Sequence, residues 1–119
     1  MIPKIGTPGQ IAENKAAKFL TKQGLTLIQK NFHCRYGEID LIMRDQETLV
    51  FVEVRFRHNS NYGSCIESIT FTKQSKLVKT AQNYLMKNKL DDVACRFDVI
   101  GLSGNLKKPT IKWLVNAIS

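Results

Sequence analysis

Length, composition and charge set the first limits on what this chain can be. It has 119 residues, of which 43% are hydrophobic, so we expect a single domain over residues 1–119 with one core. Lys and Arg number 18 against 10 Asp and Glu, and the formal net charge of +8 favours polyanionic partners, nucleic acid before anionic membrane.

The cysteines and the hydropathy pattern exclude several protein classes. Cys34, Cys65 and Cys95 are widely spaced and odd in number, which argues against a zinc ribbon and against a disulfide framework. Free thiols are typical of a reducing compartment, so the expected location is cytoplasmic. No run approaches the ~18 apolar residues of a membrane span, and the first residues lack a signal-peptide pattern, so we expect no membrane partner.

The predicted elements follow the order helix, three strands, helix, two strands. Thr7 can cap the first helix, Pro8 suits its first position, and Gly24 is a typical stop. The predicted strands are Leu25–Phe32, Gly37–Met43, Thr48–Phe56, Ala94–Leu102 and Thr110–Ile118, with a loop at His58–Ser64 and a second helix at Thr72–Lys89. Because such strands cannot bury both faces alone, the pattern predicts an α/β fold with a mixed central sheet flanked by helices, in the order αβββαββ.

The stretch Gly37–Arg57 has the pattern of a β-hairpin in which apolar and charged side chains alternate. With the turn centred between Gln46 and Glu47, the apolar pairs are Ile39 with Val54, Leu41 with Val52, and Met43 with Val50. The same register places Asp40 opposite Glu53 and Glu38 opposite Arg55. A slip by one residue would mix the two faces and is disfavoured.

Two facing carboxylates with Cβ atoms about 5 Å apart repel each other, so something has to offset their charge. A divalent cation does so, and hard oxygen ligands suit Mg²⁺ or Mn²⁺. The alternative is a salt bridge, since a two-residue change of register places Asp40 opposite Arg55 and keeps the apolar faces matched. Spacing alone leaves both alternatives open.

A charged pair is also predicted on the fourth strand. Arg96 and Asp98 alternate with apolar residues and face the same way, which favours an internal salt bridge. On the last strand, Trp113 alternates with Ile111 and is predicted to be part of the core.

The motifs Gly-Glu-Ile-Asp at 37–40 and Phe-Val-Glu-Val-Arg at 51–55 resemble the YraN-like family of small bacterial proteins. That family is similar to archaeal Holliday-junction resolvases and to the wider group of PD-(D/E)xK nucleases. The resemblance covers most of the chain, including the first helix, Lys73 and Arg96–Val99. It implies a restriction-endonuclease-like fold and metal-dependent cleavage of DNA, branched DNA included. A resolvase-like activity also implies a homodimer.

The resemblance implies roles for individual residues. Asp40 and Glu53 match the two metal-binding carboxylates of these nucleases, and Glu13 matches the helix glutamate that completes the site. All three are thus implied ligands of Mg²⁺ or Mn²⁺, although on its position alone Glu13 is equally compatible with a solvated helix charge. Nucleases of this group usually have Lys two residues after the glutamate, and here it is Arg55. Arginine can stabilise developing phosphate charge but stays protonated and is poorly suited to act as a base.

Four basic residues are candidates for contact with nucleic acid. Arg35 precedes the turn into the hairpin, and Arg57 continues the charged face that carries Glu53. Lys73 and Lys76 lie in the first turns of the second helix, where free backbone N–H groups also attract anions. For Arg35 and Lys76, a solvated surface cation is the alternative.

Two main function classes follow, with a third left open. The first is a metal-dependent nuclease acting on structured or branched DNA, and the intact set Glu13, Asp40 and Glu53 favours it. The second is a non-catalytic nucleic-acid-binding module that kept the nuclease fold and contacts phosphates through Lys and Arg, and Arg55 favours it. The third is a protein-interaction domain with an incidental basic surface, because fold alone does not decide function.

Overall fold

The elements of the fold come from a computed structural model that describes residues 7–58 and 69–118. They are α1 (Pro8–Lys22), β1 (Thr26–Cys34), β2 (Gly37–Asp45), β3 (Thr48–Arg57), α2 (Phe71–Lys87), β4 (Cys95–Ser103) and β5 (Thr110–Leu114). Residues 59–64 of the predicted loop, and Cys65, lie outside the described residues. The element order confirms the predicted α/β fold class and is consistent with a nuclease-like fold. Within the described ranges, no helix is long and apolar enough to cross a membrane.

The five strands form one mixed sheet in the order β1-β2-β3-β4-β5. β1, β2 and β3 are joined antiparallel as a meander, β3 and β4 are parallel, and β4 and β5 are antiparallel. Parallel neighbours need a crossover connection, and α2 lies in the one between β3 and β4. The sheet therefore has a helix on each face.

Each helix covers its own apolar core. The core on the α1 side contains Ala12, Ala16, Ala17, Leu20, Leu25, Leu41, Met43, Val50, Val52, Ile100 and Leu102. The core on the α2 side contains Phe32, Ile39, Ile42, Leu49, Phe51, Leu77, Ala81, Tyr84 and Ile118. Burial on both faces explains why β3, at the centre of the sheet, is apolar almost throughout up to Val52.

The ends of α1 confirm the sequence signals. The Thr7 hydroxyl accepts a hydrogen bond from the Gln10 N–H at 3.2 Å, and Pro8 occupies the first turn. Gly24 follows the last turn with φ of +105°, a conformation that side chains rarely adopt.

The predicted alternation fails at one place in β2. Ile39 packs on the α2 side of the sheet, whereas Leu41 packs on the α1 side, so the predicted pairing of Ile39 with Val54 is wrong. The register shift between β1 and β2 lies between Leu27 and Gln29, whereas this change of side lies between the backbone pairs Phe32–Ile39 and Lys30–Leu41. There Asn31 has φ of 54°, a left-handed conformation that breaks strict alternation.

The C-terminal strand is shorter than predicted because the buried carboxylate of Asp98 accepts a hydrogen bond from the backbone just beyond it. Asp98 is fully buried and accepts hydrogen bonds from Trp113 Nε1 at 2.9 Å and from the Asn116 N–H at 2.8 Å. Arg96 Nε lies 3.1 Å from the same carboxylate, which confirms the predicted internal salt bridge. Asn116 adopts φ of 55° to direct its N–H inward, so β5 ends at Leu114 rather than at Ile118.

We expect Asp98→Ala to lower the free energy of unfolding by about 3–5 kcal/mol, because it leaves Arg96 Nε, Trp113 Nε1 and the Asn116 N–H without their acceptor, while Arg96 keeps only its contact with Asp45. Asp91→Ala is the matched control, since Asp91 is exposed and its loss is expected to change stability by less than about 0.5 kcal/mol. Urea denaturation followed by circular dichroism measures both. Equal stabilities of the two variants would contradict this role of Asp98.

Candidate metal centre

The two strands of the hairpin separate at the level of Asp40 and Glu53. Backbone pairing between β2 and β3 joins Leu41–Asp45 to Thr48–Val52 and confirms the predicted partners Leu41 with Val52 and Met43 with Val50. Beyond that point, β3 stays paired with β4, and the first residues of β2 stay paired with β1. The pairing of β2 with β3 therefore ends at Leu41 and Val52, directly next to Asp40 and Glu53.

Asp40 and Glu53 lie in direct contact at this opening. Asp40 Oδ2 accepts a hydrogen bond from the Val54 N–H at 2.8 Å, so a side chain replaces the backbone partner there. The two carboxyl groups are close enough that each shifts the pKa of the other. Only 6% of Glu53 is exposed, and Asp40 is half-buried. Two carboxylate charges in such a poorly hydrated place repel each other strongly unless a proton or a cation offsets them.

Burial controls the acidity of the pair. Loss of water raises the pKa of Glu53 to about 7, and the charge of Asp40 adds to the rise, while Lys73 and Arg55 oppose it. Burial likewise raises the pKa of Asp40 above its ordinary value, against the stabilising Val54 N–H. Glu53 therefore stays protonated between about pH 4.5 and pH 7, where an isolated carboxyl group has lost its proton.

Glu13 stands beside this pair on α1. Its pKa is raised, first by partial burial and then by the charge of Asp40, while a hydrogen bond with the Asn31 side chain lowers it. Across residues 7–58 and 69–118, no three His, Cys, Asp or Glu side chains converge into a metal-ligand cluster. Asp40 and Glu53 thus form a two-carboxylate pair, with Glu13 as a nearby third acidic group. Mg²⁺ is commonly held by one or two carboxylates plus water and substrate phosphate, so the pair fits such an ion.

Two basic side chains contact the buried Glu53 carboxylate. Arg55 Nε lies 3.2 Å and Lys73 Nζ 3.7 Å from Glu53 Oε2. The Arg55 contact has the distance of an ion pair without the geometry of a hydrogen bond. Within the described part of the chain, this buried Nε has no hydrogen-bond acceptor.

The predicted position of Glu38 opposite Arg55 is wrong. Glu38 lies on the part of β2 that stays with β1, and its carboxylate is 3.1 Å from His33 Nδ1. The alternative salt bridge between Asp40 and Arg55 requires the other register, which the observed strand pairing contradicts. The basic side chains at the site, Arg55 and Lys73, contact Glu53 instead of Asp40.

Lys73 reaches the site because α2 begins in a fixed position and lies close to the sheet. The Thr70 hydroxyl accepts a hydrogen bond from the Lys73 N–H at 3.1 Å and caps the helix. At Gly37, φ is +151°, and a Cβ there would lie 3.3 Å from Thr80 Oγ1, so only glycine permits this approach of the β1–β2 turn to α2. Sequence reasoning missed the contact of Lys73 with Glu53, because 20 residues separate them and no local pattern links them.

The other basic candidates surround the site without joining it. Lys76 is exposed on α2, where its Cβ would be 3.9 Å from a Cβ at Gly37. Arg35 is exposed in the turn that precedes Gly37, and Arg57 is exposed at the end of β3. Contact of Arg35, Arg57 and Lys76 with nucleic acid stays a prediction.

The raised pKa of Glu53 predicts a pH-dependent stability. Between the ordinary pKa of 4.5 and about 7, the folded protein keeps a proton that the unfolded chain releases, so the free energy of unfolding falls as pH rises through this window. At about 1.4 kcal/mol per unit, the loss is on the order of 3 kcal/mol. Glutamine cannot ionise, so Glu53→Gln should remove most of this fall and be more stable than the wild type at about pH 8.

Urea denaturation across this pH range measures the effect. Glu47→Gln serves as the matched control, because Glu47 is exposed in the turn at the opposite end of the hairpin. It should keep the wild-type pH profile. A Glu53→Gln profile parallel to that of the wild type would show that Glu53 has an ordinary pKa.

The part of the chain that contains this site matches a known family. The uncharacterised protein family UPF0102 matches residues 12–102, a range that includes Glu13, Asp40 and Glu53. A UPF0102 protein of Nitrosomonas europaea is 50% identical over 112 residues, which cover 94% of this chain and 93% of the relative. One from Nitrosospira multiformis is 51% identical over 109 residues, which cover 92% of this chain and 90% of the relative. These matches confirm the YraN-like resemblance, and the chain belongs to the UPF0102 family.

Proposed function

We propose that this protein is a metal-dependent nuclease that acts on DNA and uses Asp40 and Glu53 to hold Mg²⁺ or Mn²⁺. The observation that carries the proposal is the pair of neighbouring, largely buried carboxyl groups of Asp40 and Glu53, which has to retain a proton or receive a cation in its place. Burying two acidic groups together costs stability, and proteins accept that cost chiefly at functional sites. The net charge of +8 suits a polyanionic substrate.

The proposed chemistry assigns roles to five side chains and the ion. The ion, when bound, polarises the scissile phosphate and lowers the pKa of a water molecule. Asp40 and Glu53 would hold it, and the proton that Glu53 keeps below about pH 7 would be released to solvent. Glu13, whose pKa is raised by partial burial and by the charge of Asp40, is suited to accept a proton from water.

Arg55 and Lys73 stabilise negative charge on the phosphate. The Arg55 side chain is 26% exposed, so its guanidinium can donate to an incoming phosphate oxygen while its Nε stays beside Glu53. Lys73 brings a lysine ammonium to the Glu53 carboxylate from α2. Lys73 takes the place of the lysine that related nucleases usually have at the position of Arg55. The arginine at this position therefore does not leave the site without a lysine.

A non-catalytic DNA-binding module is the second candidate. It is favoured by the two cations within 4 Å of Glu53, which offset the carboxylate charge without a metal ion. In that case phosphate contacts give salt-dependent binding without turnover. The two candidates differ in whether cleavage accompanies binding.

A cytoplasmic location and a homodimer complete the proposal. Cys34 and Cys95 are free thiols, which suits a reducing compartment. A dimer would present two sites to the two strands of a branched substrate.

We expect Asp40→Asn and Glu53→Gln to reduce Mn²⁺-dependent cleavage of a branched DNA by at least about 100-fold, because loss of the ion removes several kcal/mol of charge stabilisation. Both variants should bind the DNA about as tightly as the wild type in fluorescence anisotropy. Glu47→Gln, on the same hairpin, should cleave at the wild-type rate. Binding by the wild type without cleavage of duplex, single-stranded or four-way-junction DNA would favour the binding module.

Substitutions of the lysines on α2 separate catalysis from general attraction to phosphate. Lys73→Met should lower the cleavage rate at saturating DNA by about 10-fold or more, since its ammonium acts at the site. Lys76→Met, one turn further along, should weaken binding and reduce its salt dependence while leaving that rate unchanged. Single-turnover kinetics over a series of DNA concentrations distinguishes the two effects. Identical behaviour of the two variants would remove Lys73 from the site.

Arg55→Lys tests how the site uses its arginine. If Lys73 already supplies the lysine function, a second lysine adds nothing and loses the planar guanidinium donors, so cleavage should slow. A faster Arg55→Lys variant would instead mark Arg55 as a degraded catalytic position.

A further inference from the structure

A polar cavity lies between the β1–β2 turn and the exposed side of α2. Its volume is about 440 Å³, and it is lined by Arg35, Tyr36, Lys79, Gln82, Asn83 and Met86. Charged, aromatic and amide side chains therefore meet in one place. The proposed cleavage chemistry uses none of these six residues.

The turn holds an aromatic ring and a guanidinium group together as one unit. The Arg35 guanidinium carbon lies 4.8 Å from the centre of the Tyr36 ring, and Arg35 Nη2 donates a hydrogen bond to the Tyr36 hydroxyl at 2.6 Å. The Tyr36 N–H also contacts Cys34 Sγ at 3.4 Å, which helps to fix the turn. Aromatic rings and guanidinium groups are the surfaces on which unpaired bases stack.

The α2 side of the cavity supplies the polar groups that a nucleotide needs. The amides of Gln82 and Asn83 each carry both donors and acceptors, which matches the edge of a base. Lys79 adds a cation for a phosphate. In a continuous duplex, each base is covered by its neighbours in the stack, so it cannot use an aromatic surface of this kind.

A DNA strand that is bound at the candidate metal centre is long enough to extend to this cavity. Lys79 is six residues beyond Lys73 on α2, which is about 9 Å along the helix axis at about 1.5 Å per residue. One strand of B-form DNA places a phosphate about every 3.4 Å of its axis, so about three nucleotides span the separation. The exposed Lys76 lies between them.

We propose that this cavity binds an unpaired nucleotide a few positions from the scissile phosphate, so that the substrate class is DNA with a single-stranded segment, such as a fork, flap or branch. The inference deepens the proposed nuclease function and rests on it for the position of the scissile phosphate. Binding of the unpaired nucleotide itself needs no metal ion and no cleavage.

Binding in EDTA therefore tests the cavity separately from catalysis. The probes are a blunt duplex and the same duplex with a single-stranded arm that contains a fluorescent adenine analogue. The wild type should bind the armed duplex more tightly than the blunt one and quench the analogue by stacking. Tyr36→Ala should lose about tenfold in affinity for the armed duplex and the quenching, and keep its affinity for the blunt duplex.

Tyr36→Phe is the matched control, since it keeps the ring and loses only the hydroxyl, and it should keep most of the preference for the armed duplex. Equal losses on both probes in Tyr36→Ala, or no loss on either, would overturn the proposal. If the preference and its loss are observed but no DNA is cleaved with Mn²⁺, the nucleotide site stands and the nuclease function fails. If cleavage occurs while Tyr36→Ala behaves as the wild type, the nuclease function stands and the nucleotide site fails.

Discussion

Two neighbouring acidic side chains at the opening of a hairpin, removed from most of their water, are the constraint on which the rest of this molecule depends. Asp40 and Glu53 are close enough to shift each other's pKa, and Glu53 is almost completely removed from water. Such a pair is stable when it keeps a proton or when a cation replaces that proton. The same burial that penalises the charged pair also strengthens its attraction for a divalent ion, because little water competes inside the site.

The architecture around the pair holds it open toward one side. β2 remains with β1 and β3 remains with β4, so the gap between the two carboxyl-bearing strands is fixed by pairing on their outer edges. α1 brings Glu13 to one side of this gap, and α2 brings Lys73 to the Glu53 carboxylate. Gly37, the first residue of the Gly-Glu-Ile-Asp motif, permits the close approach of α2. The motif thereby helps to position Lys73, which lies 36 residues further along the chain.

The sequence predicts the fold well because its signals are local. Alternation predicts each strand within a few residues, the caps at Thr7 and Gly24 define α1, and the apolar register places Asp40 beside Glu53. Predictions fail where the local backbone conformation or a distant contact overrides alternation. Ile39 lies on the other face at the level where Asn31 of β1 has a left-handed conformation, and Asp98 accepts a hydrogen bond from the Asn116 N–H beyond the end of β5. The contact of Lys73 with Glu53 is tertiary, and no spacing in the sequence encodes it.

Calorimetric titration of Mn²⁺ in two buffers of different ionisation enthalpy tests the central claim most directly, because it reports affinity and released protons together. At about pH 6, below the pKa of about 7 for Glu53, each bound Mn²⁺ should release about one proton, and the release should decline toward about pH 8. Asp40→Asn should abolish binding, while Glu47→Gln should bind as the wild type does. Undiminished Mn²⁺ binding by Asp40→Asn, or wild-type binding without proton release at about pH 6, would contradict the account.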